Sequence, residues 1–208
     1  MTSATEQFVL RTTLTSPVGR KVRMAVEARQ GRAARQAAEI VAPDADKLID
    51  EAINTPDRFL LRRTPSDRRQ MQEIAVLALI RWAGSNPPAA AQALQNRWGP
   101  HLHDEQRAWA WGAIGSQAAQ QLSDDAVGYF KNASPEGMSD EHLSWRTRAA
   151  LRQGQWRDAL AALQAMSPEH ASEPTWTYWR ARALERLAQT DAERKQAREL
   201  LQGLAGIG

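Results

Sequence analysis

The 208-residue chain contains no cysteine. Disulfides, thiolate metal sites and thiol nucleophiles are thereby excluded, although the absence does not choose between a reducing and an oxidising compartment. No window comes near the roughly twenty consecutive apolar residues that a membrane-spanning helix needs. The opening Met1-Thr2-Ser3 lacks the cationic and apolar regions of a secretion signal, so an exported form is expected to carry its leader outside this stretch. A strong excess of charge is also missing: 27 Lys and Arg against 24 Asp and Glu leave a net charge of only +3. Arginine supplies most of the positive charge and is interleaved with acids along the chain, which is not the concentrated basic stripe of a nucleic-acid binder. Doublets such as Arg62-Arg63 and Arg68-Arg69 read as solvated helix faces. With neither a glycine-rich phosphate loop, nor a strand to lead into one, nor a G-x-S-x-G elbow, nucleotide and serine-hydrolase chemistry have no support, and no cofactor is expected.

What the chain does hold is helix-forming. Alanine, leucine, glutamine and arginine dominate, β-branched residues are scarce, and no convincing apolar/polar alternation marks a strand, so the fold class is all-α. Ser16-Pro17, Thr55-Pro56, Thr64-Pro65, Asn86-Pro87 and Glu173-Pro174 each place proline near a first helical turn, and they cut the chain into short helices. The first half predicts helices near 17–30, 32–41, 45–54, 56–62 and 66–85, joined by hairpin-length turns. Apolar residues recur at helical spacing in Met71, Ile74, Ala78 and Trp82, in Trp111, Ile114, Ala118 and Leu122, and in Trp156, Ala159, Leu160, Leu163 and Met166.

The most specific signal is a repeat. Trp145-Arg146-Thr147-Arg148-Ala149 and Trp179-Arg180-Ala181-Arg182-Ala183 share the pattern W-R-x-R-A. Trp111 precedes Trp145 by the same interval that separates Trp145 from Trp179, with Gly115 in the small-residue position. That interval, about 34 residues, is the period of helix-turn-helix solenoids, in which no hairpin buries its apolar face except against its neighbour. The expectation is a right-handed, tetratricopeptide-like superhelix of stacked antiparallel helix pairs. It divides into a flexible segment over 1–15, helical hairpins over 16–100 and three 34-residue repeats over 101–208. Trp111, Trp145, Trp156 and Trp179 are expected as structural repeat positions, and Trp145→Ala is then expected to cost about 3–5 kcal/mol. Gly154 reads as the turn between two helices, and Thr190 or Asp191 as a helix cap. The apolar ending from Leu200 to Gly208 invites a further domain or a dimer contact rather than a polar capping repeat.

Three segments resemble a known family. Glu105-Gln106-Arg107-Ala108-Trp109-Ala110-Trp111-Gly112, Leu143 to Arg152 with Gly154 and Trp156, and Pro174 to Leu184 are similar to the superhelical α-domain of the soluble lytic murein transglycosylases, over about residues 104–190. The resemblance implies a periplasmic protein of peptidoglycan metabolism whose helical domain curls into an open or closed ring that supports a C-terminal lysozyme-like catalytic domain and guides glycan strands. The family cleaves with a glutamate in a Glu-Ser dipeptide, beside Gly-Leu-Met-Gln and Ala-Tyr-Asn segments. No glutamate here is followed by serine. No catalytic residue carries over, and the chain alone is expected to be inactive even where its parent protein is a peptidoglycan lyase. A stand-alone tetratricopeptide-like module that binds a partner protein in its concave groove is the alternative.

Within that frame the arginines flanking the repeated tryptophans are groove candidates. At about 100° per residue, Arg146 and Arg180 project away from the tryptophan face, while Arg148 and Arg182 lie closer to it. In a purely structural role their stems cover apolar surface and their heads pair with acids on the adjacent helix. His101-Leu102-His103-Asp104-Glu105 holds the only clustered imidazoles, but a loop ending in an Asp104 cap explains it better than a metal site. Asp124-Asp125 and Asp140-Glu141 read as acids at helix starts rather than as a glycosidase carboxylate pair.

Overall fold

A computed structural model describes residues 46–205. The expected segment 1–15, the helices near 17–30 and 32–41 and the last three residues lie outside the described residues. Within them the chain forms eleven α-helices and no strand: α1 (Asp46–Asn54), α2 (Pro56–Arg62), α3 (Arg69–Ala83), α4 (Pro87–Ala93), α5 (Asp104–Gln120), α6 (Ala126–Phe130), α7 (Asp140–Arg152), α8 (Trp156–Ala165), α9 (Pro168–Ala171), α10 (Pro174–Leu187) and α11 (Asp191–Ala205).

Local chemistry explains the starts and stops. Proline opens α2, α4, α9 and α10, where its missing N–H has no helical partner to lose. Asn86, Ser139 and Ser167 cap α4, α7 and α9 by accepting a backbone N–H three residues on, at 3.1, 3.3 and 3.3 Å. Thr190 does the same for α11 through the N–H of Glu193 at 3.3 Å. In return the Glu193 carboxylate accepts the N–H of Gln189 and of Thr190, at 2.7 and 3.0 Å. The backbone N–H of Thr190, then that of Gln189, holds this carboxyl below the usual carboxylate range. The α5 cap differs from expectation. Asp104 is the first helical residue, and His103 before it donates its N–H to Gln106 Oε1 at 2.9 Å. Helix α3 is shorter than the predicted 66–85 because Arg68 is extended and the Ser85 N–H folds back onto the Trp82 carbonyl.

Helix α3 is buried along most of its length, and α1, α2, α4 and α5 surround it. From α5 onward the packing becomes sequential: α5 carries α6 and α7, α7 carries α8, and α8 carries α10, which pairs with α11. Two buried clusters follow each other along the stack, one from Ile49 to Ile114 and one from Ala118 to Trp176. Between α4 and α5 a π-turn over Leu94–Trp98 delivers Trp98 into the first cluster.

The turns after α5 and α7 are the same motif built from different residues. In each, the N–H two residues past the helix cap reaches back five residues: Ser123 to the Ala118 carbonyl at 2.9 Å and Gln155 to the Ala150 carbonyl at 2.8 Å. The left-handed residue before that donor is Gly154, φ 68°, in one case and Leu122, φ 59°, in the other. The stripe of Trp111, Ile114 and Ala118 predicts a buried Leu122. The residue is instead 70% exposed, because the left-handed turn swings it off that stripe. A side chain in this conformation costs about 1–2 kcal/mol, partly offset by the backbone entropy that glycine loses on folding. Leu122→Gly is therefore expected to raise stability by about 0.5 kcal/mol, read as a higher urea midpoint with unchanged slope. A lower midpoint would show that the leucine makes a contact worth more than its strain.

Helices α7 and α10 begin one repeat period apart, whereas the start of α5 precedes that of α7 by slightly more than a period and its partner α6 is cut to five residues. The tryptophan register thus survives a change in helix length. Gly115, at the small-residue position, has the Phe130 ring of α6 within 2.8 Å of where a Cβ would stand.

Candidate functional site

Side chains of several elements converge between α7 and α10. These two helices do not pack backbone to backbone as α5 and α7 do; α10 rests mainly on α8 and α11. The interval is bridged by side chains. Glu141, Ser144, Trp145 and Arg148 share one face of α7 by their spacing of three and four residues. From the far side come Trp176 of α10 and His170 of the short α9.

Arg148 occupies the middle. Its guanidinium carbon stands 4.9 Å from the Trp145 ring centroid and 4.8 Å from that of Trp176, within the range of a cation–π contact with each. Trp176 is buried, Trp145 is half-buried against the second cluster, and Arg148 is exposed. Among the described residues Arg148 makes no hydrogen bond or ion pair. The acids nearby are already engaged: Glu141 accepts the Trp145 indole N–H at 2.9 Å, and Glu173 lies 2.9 Å from His170 Nδ1. The other ring nitrogen of His170 shares a 2.9 Å hydrogen bond with Ser144, and its ring tilts against Trp176. Helix α9 is pinned in turn, because Asp140 accepts both the backbone N–H and the hydroxyl of Ser167, at 2.8 and 2.7 Å.

The remaining candidates separate. Arg146 turns inward, only 7% exposed, and donates to the carbonyls of Phe130 and Ala133 at 3.0 and 3.1 Å. Burial holds its guanidinium below the ordinary arginine value, against the opposing charges of Asp158 and Glu136. Arg182 pairs with Glu185 on its own helix at 2.5 Å, and Arg180 is half-buried. Acids on the adjacent helix, the partners expected for these arginines, are not what any of Arg146, Arg148 and Arg182 contacts. Carbonyls, indole faces and an acid one turn away take their place. Trp111 is buried and stacked with Tyr129; Trp179 is half-buried with Tyr178 edge-on at 5.2 Å. Trp156 is half-buried beneath Arg186 and lines an open hollow of about 390 Å³ with Gly154, Gln155, Arg157, Asp158 and Leu187. The two clustered histidines part company, since His101 pairs with Asp67 at 2.8 Å while His103 starts the α5 cap.

Trp176 is not among the expected site residues, yet a signal for it exists. It stands one repeat period after His142, and both face the preceding repeat: His142 meets Gly112 and Trp109, and Trp176 meets Arg148. Chemically, the α7–α10 gap offers a positive charge held over two indole rings, with no hydrogen-bond or ion-pair partner among the described residues, an arrangement suited to an anion.

The described residues thus define an all-α stack of helix pairs, held together by contacts between neighbours in sequence. The fold is similar to the X-ray structure of an inactive mutant of the lytic transglycosylase Slt from Pseudomonas aeruginosa, with a TM-score of 0.62 and 24% sequence identity over 91% of this chain and 31% of that one. The chain spans about a third of that protein's length, and at this identity the likeness is one of fold. No family model matches the sequence, and no curated protein matches it.

Proposed function

We propose that this chain is a non-catalytic superhelical scaffold segment of a periplasmic lytic transglycosylase, which positions peptidoglycan strands, a C-terminal lysozyme-like catalytic domain, or both. One observation carries the reading: the fold that resembles a lytic transglycosylase is built from the same tryptophan–arginine segments, within residues 104–190, that resemble this family in sequence. The stack itself supports a holding role. Nearest-neighbour packing produces an extended surface rather than a closed cleft, and such surfaces act by shape and by distributed weak contacts.

The purified chain is accordingly expected to co-sediment with isolated cell-wall sacculi and to release no anhydromuropeptides from them, as followed by chromatography of the supernatant. Release of anhydro products would overturn the scaffold reading. Failure to sediment, together with failure to bind a separately produced lysozyme-like domain, would remove its connection to peptidoglycan.

A further inference from the structure

We infer that the gap between α7 and α10 is a carboxylate-recognition site, with Arg148 as the binding group and Trp145 and Trp176 as the plates that aim it. On the scaffold reading, on which this inference rests for its ligand, the occupant is a free carboxylate of a muropeptide. An arginine on a helix surface ordinarily loses rotamer entropy when it is fixed in one geometry. Here two indoles, at 4.9 and 4.8 Å from the guanidinium carbon, hold the group before any ligand arrives. The guanidinium carbon sits over both rings while its N–H groups have no hydrogen-bond partner among the described residues, which leaves them for the two parallel hydrogen bonds that grip a carboxylate.

Three further observations favour an anion from outside over an internal one. Arg148 is exposed and has no ion-pair or hydrogen-bond partner among the described residues, whereas Arg107, Arg152, Arg182 and Arg194 each have an acid. The rim acids Glu141 and Glu173 are held by the Trp145 indole and by His170. The plates themselves are anchored, Trp176 by burial and by the His170 ring, and Trp145 by the hydrogen bond of its indole N–H to Glu141.

The test compares N-acetylmuramyl-L-alanyl-D-isoglutamine, a muropeptide fragment with one free peptide carboxylate, with its methyl ester, which has none, by titration against the full chain. Binding is followed through the Nε–Hε signal of Arg148 in 15N-labelled protein and through tryptophan fluorescence. The acid is expected to shift the Arg148 signal and quench fluorescence saturably, while the ester binds at least about tenfold more weakly, the scale of a lost charge-assisted hydrogen bond. Arg148→Met keeps the apolar stem over the indoles but removes the donors, and it should weaken the acid by a similar factor. Arg148→Lys, a point charge without the planar fork, should fall between them. Equal binding of acid and ester, or an Arg148 signal that does not move, would overturn the inference even if Arg148→Met proved unstable. Sacculus binding unaffected by Arg148→Met would sink the site while sparing the scaffold reading. If acetate and acidic peptides bind as tightly as the muramyl dipeptide and sacculi do not bind, the site is a carboxylate site but not for muropeptides, and the inference fails in its ligand.

Discussion

Trp98→Ala is expected to remove about 4 kcal/mol of unfolding free energy, the largest single effect in the first half of the stack. The ring is completely buried and stacks on Phe59, with centroids 5.8 Å apart and planes 18° from parallel. It also satisfies a backbone group. Leu60 lies in the last turn of α2, where carbonyls have no donor left within the helix, and the Trp98 indole N–H donates to its oxygen at 3.0 Å. Alanine would therefore leave a cavity against Phe59 and a buried carbonyl without its donor. Phenylalanine separates the two contributions: Trp98→Phe keeps much of the packing and loses the hydrogen bond, for an expected cost of about 1–2 kcal/mol. Urea unfolding followed by far-UV circular dichroism measures both. A loss below about 1 kcal/mol for Trp98→Ala would mean that α2 and the π-turn are not held together as described.

Gly112→Ala is the second, with an expected loss of about 2–3 kcal/mol, the scale of overpacking in a close-packed interior. An added Cβ would stand 2.3 Å from Nδ1 and 2.8 Å from Cγ of His142. That imidazole is fully buried and lies edge-on to Trp109 at 5.0 Å, so the ring has little room to retreat and the strain passes into the α5–α7 contact. His142→Ala should cost stability alone but relieve the clash, so the double mutant should be more stable than the sum of the singles by about 1 kcal/mol or more. Gly128→Ala is the control, because nothing lies within 4 Å of its added Cβ on α6. It should be neutral or stabilising, as alanine is for an exposed helical glycine. Equal effects at both glycines would mean that α5 and α7 are not in close contact.

The repeat itself shows why the α5–α7 and α7–α10 junctions differ. Gly112, Arg146 and Arg180 occupy the same place in the 34-residue register, as do His142 and Trp176. Where the register place holds glycine, the following repeat seats an imidazole directly on α5, and the two helices approach closely. Where it holds Arg146, the guanidinium goes inward to the carbonyls of Phe130 and Ala133 and ties the connection before α7 to the core. Helix α10 packs on α8 instead of α7, and the gap that results is the one Arg148 and the two indoles bridge. A single substitution pattern along the repeat thus accompanies the change from tight packing to an open seam.

Much of this is readable from the chain alone. Helix type, the helices at 46–54 and 56–62, the proline-led starts and the glycine turn at Gly154 depend on propensity, capping and backbone freedom, which act over a few residues and are written locally. The seam is only half readable. Arg146, Arg148 and Arg182 come from the same W-R-x-R-A pattern, yet they end against two carbonyls, two indole rings and an acid one turn away, because a long side chain takes whichever group its packed surroundings present. Leu122 likewise follows an apolar stripe on paper, and the left-handed turn takes it to the surface.

By itself, then, the amino-acid order determined that the described residues form a run of short helices in which one tryptophan position recurs at the repeat interval. Tertiary structure alone decided which arginine is buried, which is paired and which stands between two rings. The reason is one of range: helix formation is settled by contacts within four residues, whereas the partner of a guanidinium is set by the spacing between helices a full repeat apart in sequence, and that spacing follows from how glycine, histidine and tryptophan fill the places where those helices meet.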